Sequence, residues 1–192
     1  EKPELKDQIA AEARFLRAYF YFDLCRMFGT VPLVLTTEAV NNPRAEVKDL
    51  YAQIADDLIY AIQTLPNRRY EAKDGQLGHA TKWAAESLLA RVYLFYTGYY
   101  KQDVLPLPDG GSITKQEVIN WLDDCINNSG HGLVSNFGNL WPYANSATAP
   151  DYKFAADNNL NWVGDDQNNE TIFAIKYSAM GNHSTSIYYS NQ

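Results

Sequence analysis

The residues best suited to chemistry in this chain are aromatic rings and amides, crowded into its last third. After Gly130 the sequence holds ten Asn, no Arg and two Lys, Lys153 and Lys176. Trp141, Trp162, Tyr188 and Tyr189 lie among Asn139, Asn145, Asn161 and Asn182. A sugar ring has apolar C–H faces and a rim of hydroxyls. Aromatic faces cover the first, and amide or carboxylate side chains bond the second. The segment as a whole therefore points to a binding surface for a neutral, polyhydroxylated ligand. Trp162, Asn182, Tyr188, Tyr189, Trp141 and Asn161 are its candidate contacts. The competing expectation for any one ring is that it fills a core beneath the loops.

Other constellations are weaker. Asp157, Asn159, Asn161 and Asp165 fall at positions one, three, five and nine of a calcium loop. The sixth position is Trp162 where that loop needs Gly, and the twelfth is Asn168 where it needs Glu. Asp157 and Asp165 are thus candidates for an irregular oxygen-rich calcium site, with a polar surface loop as the alternative; no other cofactor is expected. The three histidines, His79, His131 and His183, are scattered and form no ligand pair. No phosphate-binding loop, nucleophile elbow or zinc-protease helix motif occurs. Asp56-Asp57 and Asp123-Asp124 sit on predicted helices and read as solvated faces. Glycoside hydrolysis needs carboxyl groups across a cleft, not adjacent in sequence. A net charge of -7 argues against nucleic acid as a partner.

These residues need elements to hold them. A helix is expected over about residues 5–28, stopped by Gly29 and Val31-Pro32. From Phe15 on it is apolar on nearly all sides, so it reads as central, and Arg14, Arg17, Asp23 and Arg26 on it should form ion pairs. A second helix over about 45–65 carries a stripe of Val47, Leu50, Tyr51, Ile54, Leu58, Ala61, Ile62 and Leu65. A third begins at Thr81, a helix cap, with small Ala84, Ala85 and Ala90 for close approach and Gly98 weakening its last turn. Thr114-Lys115-Gln116-Glu117 is a capping box opening a fourth, with Val118, Ile119, Leu122, Cys125 and Ile126 as its apolar face and Gly130 as its stop. Thr171 to Tyr177 alternates like a short strand. The chain starts Glu1-Lys2-Pro3 with no secretory leader, so either a mature protein begins there or the chain is a fragment. Cys25 and Cys125 both fall in apolar helical patterns, which leaves their pairing open.

The fold class expected is thus mainly α, as helical hairpins of tetratricopeptide type with long loops and one short strand, with a plain helical bundle as the alternative. Residues 1–130 form a platform of four helices, paired first with second and third with fourth. Residues 131–192 form a loop-rich, aromatic and Asn-rich ligand-side segment of the same domain.

Four stretches in order resemble the SusD/RagB family: AEARFLRAYFYFDLCRMFGTVPLV at residues 11–34, PRAEVKDLYAQIADDLIYAIQTLP at 43–66, GHATKWAAESLLARVYLF at 78–95 and NETIFAIKYS at 169–178. His79 stands where that family usually has Arg, and Trp83 where it has a small residue. The resemblance implies a non-enzymatic, surface-exposed lipoprotein of the outer membrane. It implies that such a protein binds oligosaccharide or polysaccharide and delivers it to a SusC-like TonB-dependent transporter. The lipid anchor, the first helices and the C-terminal half of such proteins would lie outside this chain. A helical-repeat scaffold for protein–protein contacts is the alternative, and a carbohydrate-active enzyme a third.

Overall fold

The computed structural model describes residues 3–38, 41–71, 78–140, 152–161, 163 and 168–175. Helix α1 spans Pro3–Phe28, α2 Val47–Thr64, α3 Lys82–Tyr100 and α4 Lys115–Asn128. A two-residue hairpin, β1 (Leu105–Pro106) with β2 (Ser112–Ile113), joins α3 to α4, and a short α5 (Lys153–Asp157) follows. The mainly helical expectation holds, and local signals set most boundaries. Thr81 accepts the Ala84 amide to cap α3. Thr114 and Glu117 form the reciprocal box at α4. Gly29 and Gly130 take the left-handed backbone that ends α1 and α4, where a Cβ would be strained.

The helices pack in chain order: α1 on α2, α2 on α3, α3 on α4. Arg14 and Arg17 of α1 meet Asp57 while Phe22 meets Tyr51, so α1 and α2 run antiparallel. The core is the stripe on α2, the inner face of α1 (Ala11, Phe15, Ala18, Phe22, Cys25) and the small-residue face of α3. Ala84, Ala85 and Ala90 are buried there, as close helix approach requires. Cys25 and Cys125 are both buried free thiols.

Several expectations change. Helix α1 is not buried all round: Ile9, Leu16, Phe20, Leu24 and Met27 are exposed among the described residues, because only α2 covers it broadly. On α4 only Val118 and Cys125 are buried, and Ile126 is 72% exposed, because among the described elements α4 packs chiefly on α3. Gly98 lies in the last turn of α3, as expected. The ring cluster of Tyr51, Phe95, Tyr96 and Tyr100 carries the helix to Tyr100, and Lys101 then adopts a left-handed backbone. The described part of the expected strand, 171–175, forms no ladder; Tyr177 lies outside the described residues. Side chains hold the segment instead, with Phe173 edge-on against Phe15 at 4.9 Å. The short sheet lies in the Pro- and Gly-rich link, where Leu105 pairs with Ile113 and both are buried.

Each helical aspartate pair has a member tied to a cation, Asp57 in one and Asp124 in the other, whereas Asp123 is exposed as expected. Asp57 is 1% exposed and accepts Arg14 Nε and Arg17 Nη2 on Oδ1 and Arg17 Nε on Oδ2, each at 2.7 Å. Asp56 takes Arg14 Nη2 at 2.5 Å. These bonds raise the Arg17 pKa, chiefly through the Asp57 hydrogen bond. Asp23 pairs with Arg26, so the expected ion pairs on α1 form. Asp124 takes Lys82 Nζ at 2.5 Å.

Candidate functional site: an amide-pinned aromatic segment

The described part of residues 131–175 is a set of loops fastened by side-chain amides. Asn139 does most of the fastening. Its Oδ1 accepts the Asn161 amide at 2.9 Å and its carbonyl accepts the Val163 amide at 2.9 Å. The two neighbours of position 162 are therefore fixed to the one-turn 3-10 helix Phe137–Leu140. Leu160 is buried and packs over Gly138, where an added Cβ would stand 2.8 Å from Leu160 Cδ2. Gly138 is small because Leu160 occupies that space.

A second suture ties these loops to the helices. The Asn169 carbonyl accepts Gly132 N at 3.1 Å and faces His131 Nδ1 at 3.0 Å. Arg69, in the link between α2 and α3, donates to the Asn169 side chain. Glu170 Oε2 accepts Val134 N at 2.9 Å. Burial, the largest influence, lowers the His131 pKa, so its ring is neutral near pH 7. A rigid frame of this kind costs a ligand little ordering entropy.

On this frame Phe137, Tyr152 and Phe154 are largely exposed. Exposed rings on fixed backbone are suited to stacking on a sugar face. They were available in the sequence, but aromatic content alone did not separate them from core. Of the expected contacts, Asn161 is exposed and contributes its backbone amide to the frame. Trp141, Trp162, Asn182, Tyr188 and Tyr189 lie outside the described residues. Asp157 closes α5 and pairs with Lys153 Nζ at 2.5 Å, and Asp165 lies outside the described residues. A concavity of about 390 Å³ runs beside residues 170–175, with Tyr19, Arg91 and Glu170 among its walls.

Comparison with known proteins matches this architecture. Residues 1–94 match a SusD-like family model described as starch-binding and associating with the outer membrane. A SusD-like protein of Bacteroides ovatus is 32% identical over 148 residues, covering 73% of this chain and 24% of the relative. The chain belongs to the SusD-like family.

Solved SusD-like structures share the fold. One, crystallised with a xylogluco-oligosaccharide, is 26% identical with a TM-score of 0.67, covering 95% of this chain and 32% of that one. A laminarin-binding SusD-like protein is 27% identical with a TM-score of 0.58, covering 76% of this chain and 30% of that one. A SusD-like protein of Bacteroides fragilis is 26% identical with a TM-score of 0.60, covering 94% and 29%. The chain thus spans about a quarter to a third of the SusD-like proteins it matches. The family model ends at residue 94, before the amide-pinned loops.

Proposed function

We propose that this chain is part of a protein that captures neutral glycans without cleaving them. It would do so as a lipid-anchored, surface-exposed protein of the outer membrane that hands its ligand to a SusC-like TonB-dependent transporter. Family membership supports the class, and the named ligands of two solved relatives, a xylogluco-oligosaccharide and laminarin, support the ligand chemistry. The observation that carries the reading to this chain is the amide-pinned frame presenting Phe137, Tyr152 and Phe154. That frame adjoins the sequence segment richest in Trp, Tyr and Asn.

In this reading Trp141, Trp162, Tyr188 and Tyr189 offer ring faces, and Asn161 and Asn182 bond hydroxyls. Binding rests on fixed apolar faces and a few aligned polar groups, so it needs no cofactor. Adding calcium to the binding assay tests the Asp157 and Asp165 alternative. Calorimetric titration with xyloglucan and laminarin oligosaccharides tests the ligand class. Release of reducing ends over long incubation would assign an enzyme instead. Co-purification with a barrel-type transporter tests the partner, and loss of surface labelling on removing the parent protein's lipidation site tests the anchor.

A further inference from the structure

The helical layer carries a concavity whose described lining includes none of the loops after Gly130. It holds about 630 Å³ between the end of α2 and the facing sides of α3 and α4. Its polar lining is Gln63, Asn67, Lys82, Asn120 and Asp124, with the Trp121 indole beside them and the apolar end of α2 completing the wall. We propose that this concavity is a second saccharide site, taking one neutral pyranose unit against Trp121. The proposal rests on the glycan-binding reading above and adds to it a place on the helices.

The lining fits that ligand in three respects. Trp121 is half-buried, so its ring is held by the protein while part of it remains accessible to a C–H face. Gln63 and Asn67 make no side-chain hydrogen bond among the described residues, although each amide supplies both donors and acceptors. Adjacent hydroxyls on a sugar present that same pair of roles. The charges, finally, are matched: Lys82 Nζ lies 2.5 Å from Asp124 Oδ2, and Asn128 holds the other Asp124 oxygen at 2.6 Å. An ionic ligand would have to break that pair, whereas a neutral polyol can bond to both ends of it.

Behind the pair stands a second, independent feature. Glu86 is 0% exposed, and neither of its carboxylate oxygens has a hydrogen-bond partner among the described residues. Lys82 Nζ lies 3.5 Å from Glu86 Oε1. A buried carboxylate without hydrogen bonds is destabilising, so its presence here calls for a compensating task. Its position supplies one. Glu86 draws the Lys82 ammonium toward the α3–α4 seam, Asp124 holds it from α4, and the Trp83 ring lies 5.0 Å from it. The ammonium has three N–H groups, and Asp124 takes one at hydrogen-bond length, which leaves donors for a ligand hydroxyl. Glu86 is therefore a positioning residue for Lys82.

The test uses the full-length protein and the same xyloglucan and laminarin oligosaccharides, followed through the indole N–H resonances of its tryptophans. The Trp121 signal, assigned by Trp121→Phe, should shift saturably with a Kd of about 1 mM, as one stacked ring and a few hydroxyl contacts would give. Gln63→Ala with Asn67→Ala should weaken that titration at least about tenfold, the loss expected on removing two amide partners. Glu86→Gln should weaken it about threefold through the displaced ammonium while leaving the fold intact. Truncating Phe137, Tyr152 and Phe154 together should leave it unchanged. A Trp121 signal that stays still up to about 20 mM while calorimetry records binding would overturn this site and leave the glycan reading standing. No binding by any readout would overturn both, and an unchanged Trp121 titration in the Gln63 and Asn67 double variant would also overturn the site.

Discussion

Replacing Asp57 by Asn should be among the most damaging single changes in the helical layer. The carboxylate sits on α2, 1% exposed, and accepts three guanidinium hydrogen bonds at 2.7 Å plus Gln53 Nε2 at 3.2 Å. The Asn amide keeps one oxygen but places an NH₂ among two cations. Breaking a buried ion pair costs about 3–5 kcal/mol. Arg14 and Arg17 have 27% and 32% of their side-chain surface exposed, so both can turn partly to water. The expected loss is therefore at the lower end, about 3 kcal/mol, or a fall in Tm of roughly 6–12 °C for a domain of this size. Urea denaturation followed by circular dichroism measures it, with an unchanged slope showing that the folded state is kept. Arg14→Met and Arg17→Met added to Asp57→Leu should recover much of the loss, since an apolar triad of similar volume avoids the desolvation. A loss below about 1 kcal/mol for Asp57→Asn would refute the view that this network fixes α1 on α2, because that is the range of surface pairs.

Other changes test other parts of the account. Burial pushes the Glu86 carboxyl up to about 7 from 4.5. The protonated form is thus favoured in the folded state, so its stabilising contribution is full below pH 4.5 and is lost as pH rises through 7. The difference in stability between wild type and Glu86→Gln should grow in favour of the variant over that window, by at most about 3 kcal/mol, read by denaturation at pH 4.5 and pH 8. Gly138→Ala drives a methyl to 2.8 Å from Leu160 Cδ2, so it should cost about 1–3 kcal/mol or displace Leu160 and the turn before it, visible as lost amide-exchange protection at Val163. Thr114→Ala removes the capping-box oxygen of α4 and should cost about 1 kcal/mol in thermal unfolding.

What could be read from the sequence divides by range. The α2 stripe, the Thr81 cap, the Thr114–Glu117 box and the Gly29 and Gly130 stops depend on residues within one or two turns, and each appears where its spacing placed it. The features that sequence reading missed depend on distant partners. The Thr171 to Tyr177 alternation suits a strand, but a strand also needs a neighbouring ladder, and the described residues 171–175 have side-chain contacts instead. Hydrophobicity all round α1 shows what the helix can bury, whereas its coverage is set by neighbours. Asp57 and Asp124 looked solvated because their cations, Arg17 and Lys82, lie 40 and 42 residues away.

The candidate site was legible as a composition and less so as geometry. The interleaving of aromatics and amides singled out the segment proposed as the site. Asn139, one of the amides flanking the expected contacts, instead holds the backbone at Asn161 and Val163, a role that only the fold reveals. The exposed rings Phe137 and Phe154 differ from core rings only in what surrounds them. The Trp121 concavity joins residues from three helices, which no local pattern links.

Calorimetric titration of the full-length protein with neutral xyloglucan and laminarin oligosaccharides, alongside its Tyr188→Ala/Tyr189→Ala variant, tests the central claim most directly. Saturable binding of at least one oligosaccharide is expected. If one of the two rings stacks on the sugar, the variant should weaken it by about 1–3 kcal/mol with little change in Tm. The absence of heat and of competition by any neutral oligosaccharide at millimolar concentration would contradict the glycan-binding account. A large fall in Tm with unchanged affinity would contradict the placement of its site after Gly130.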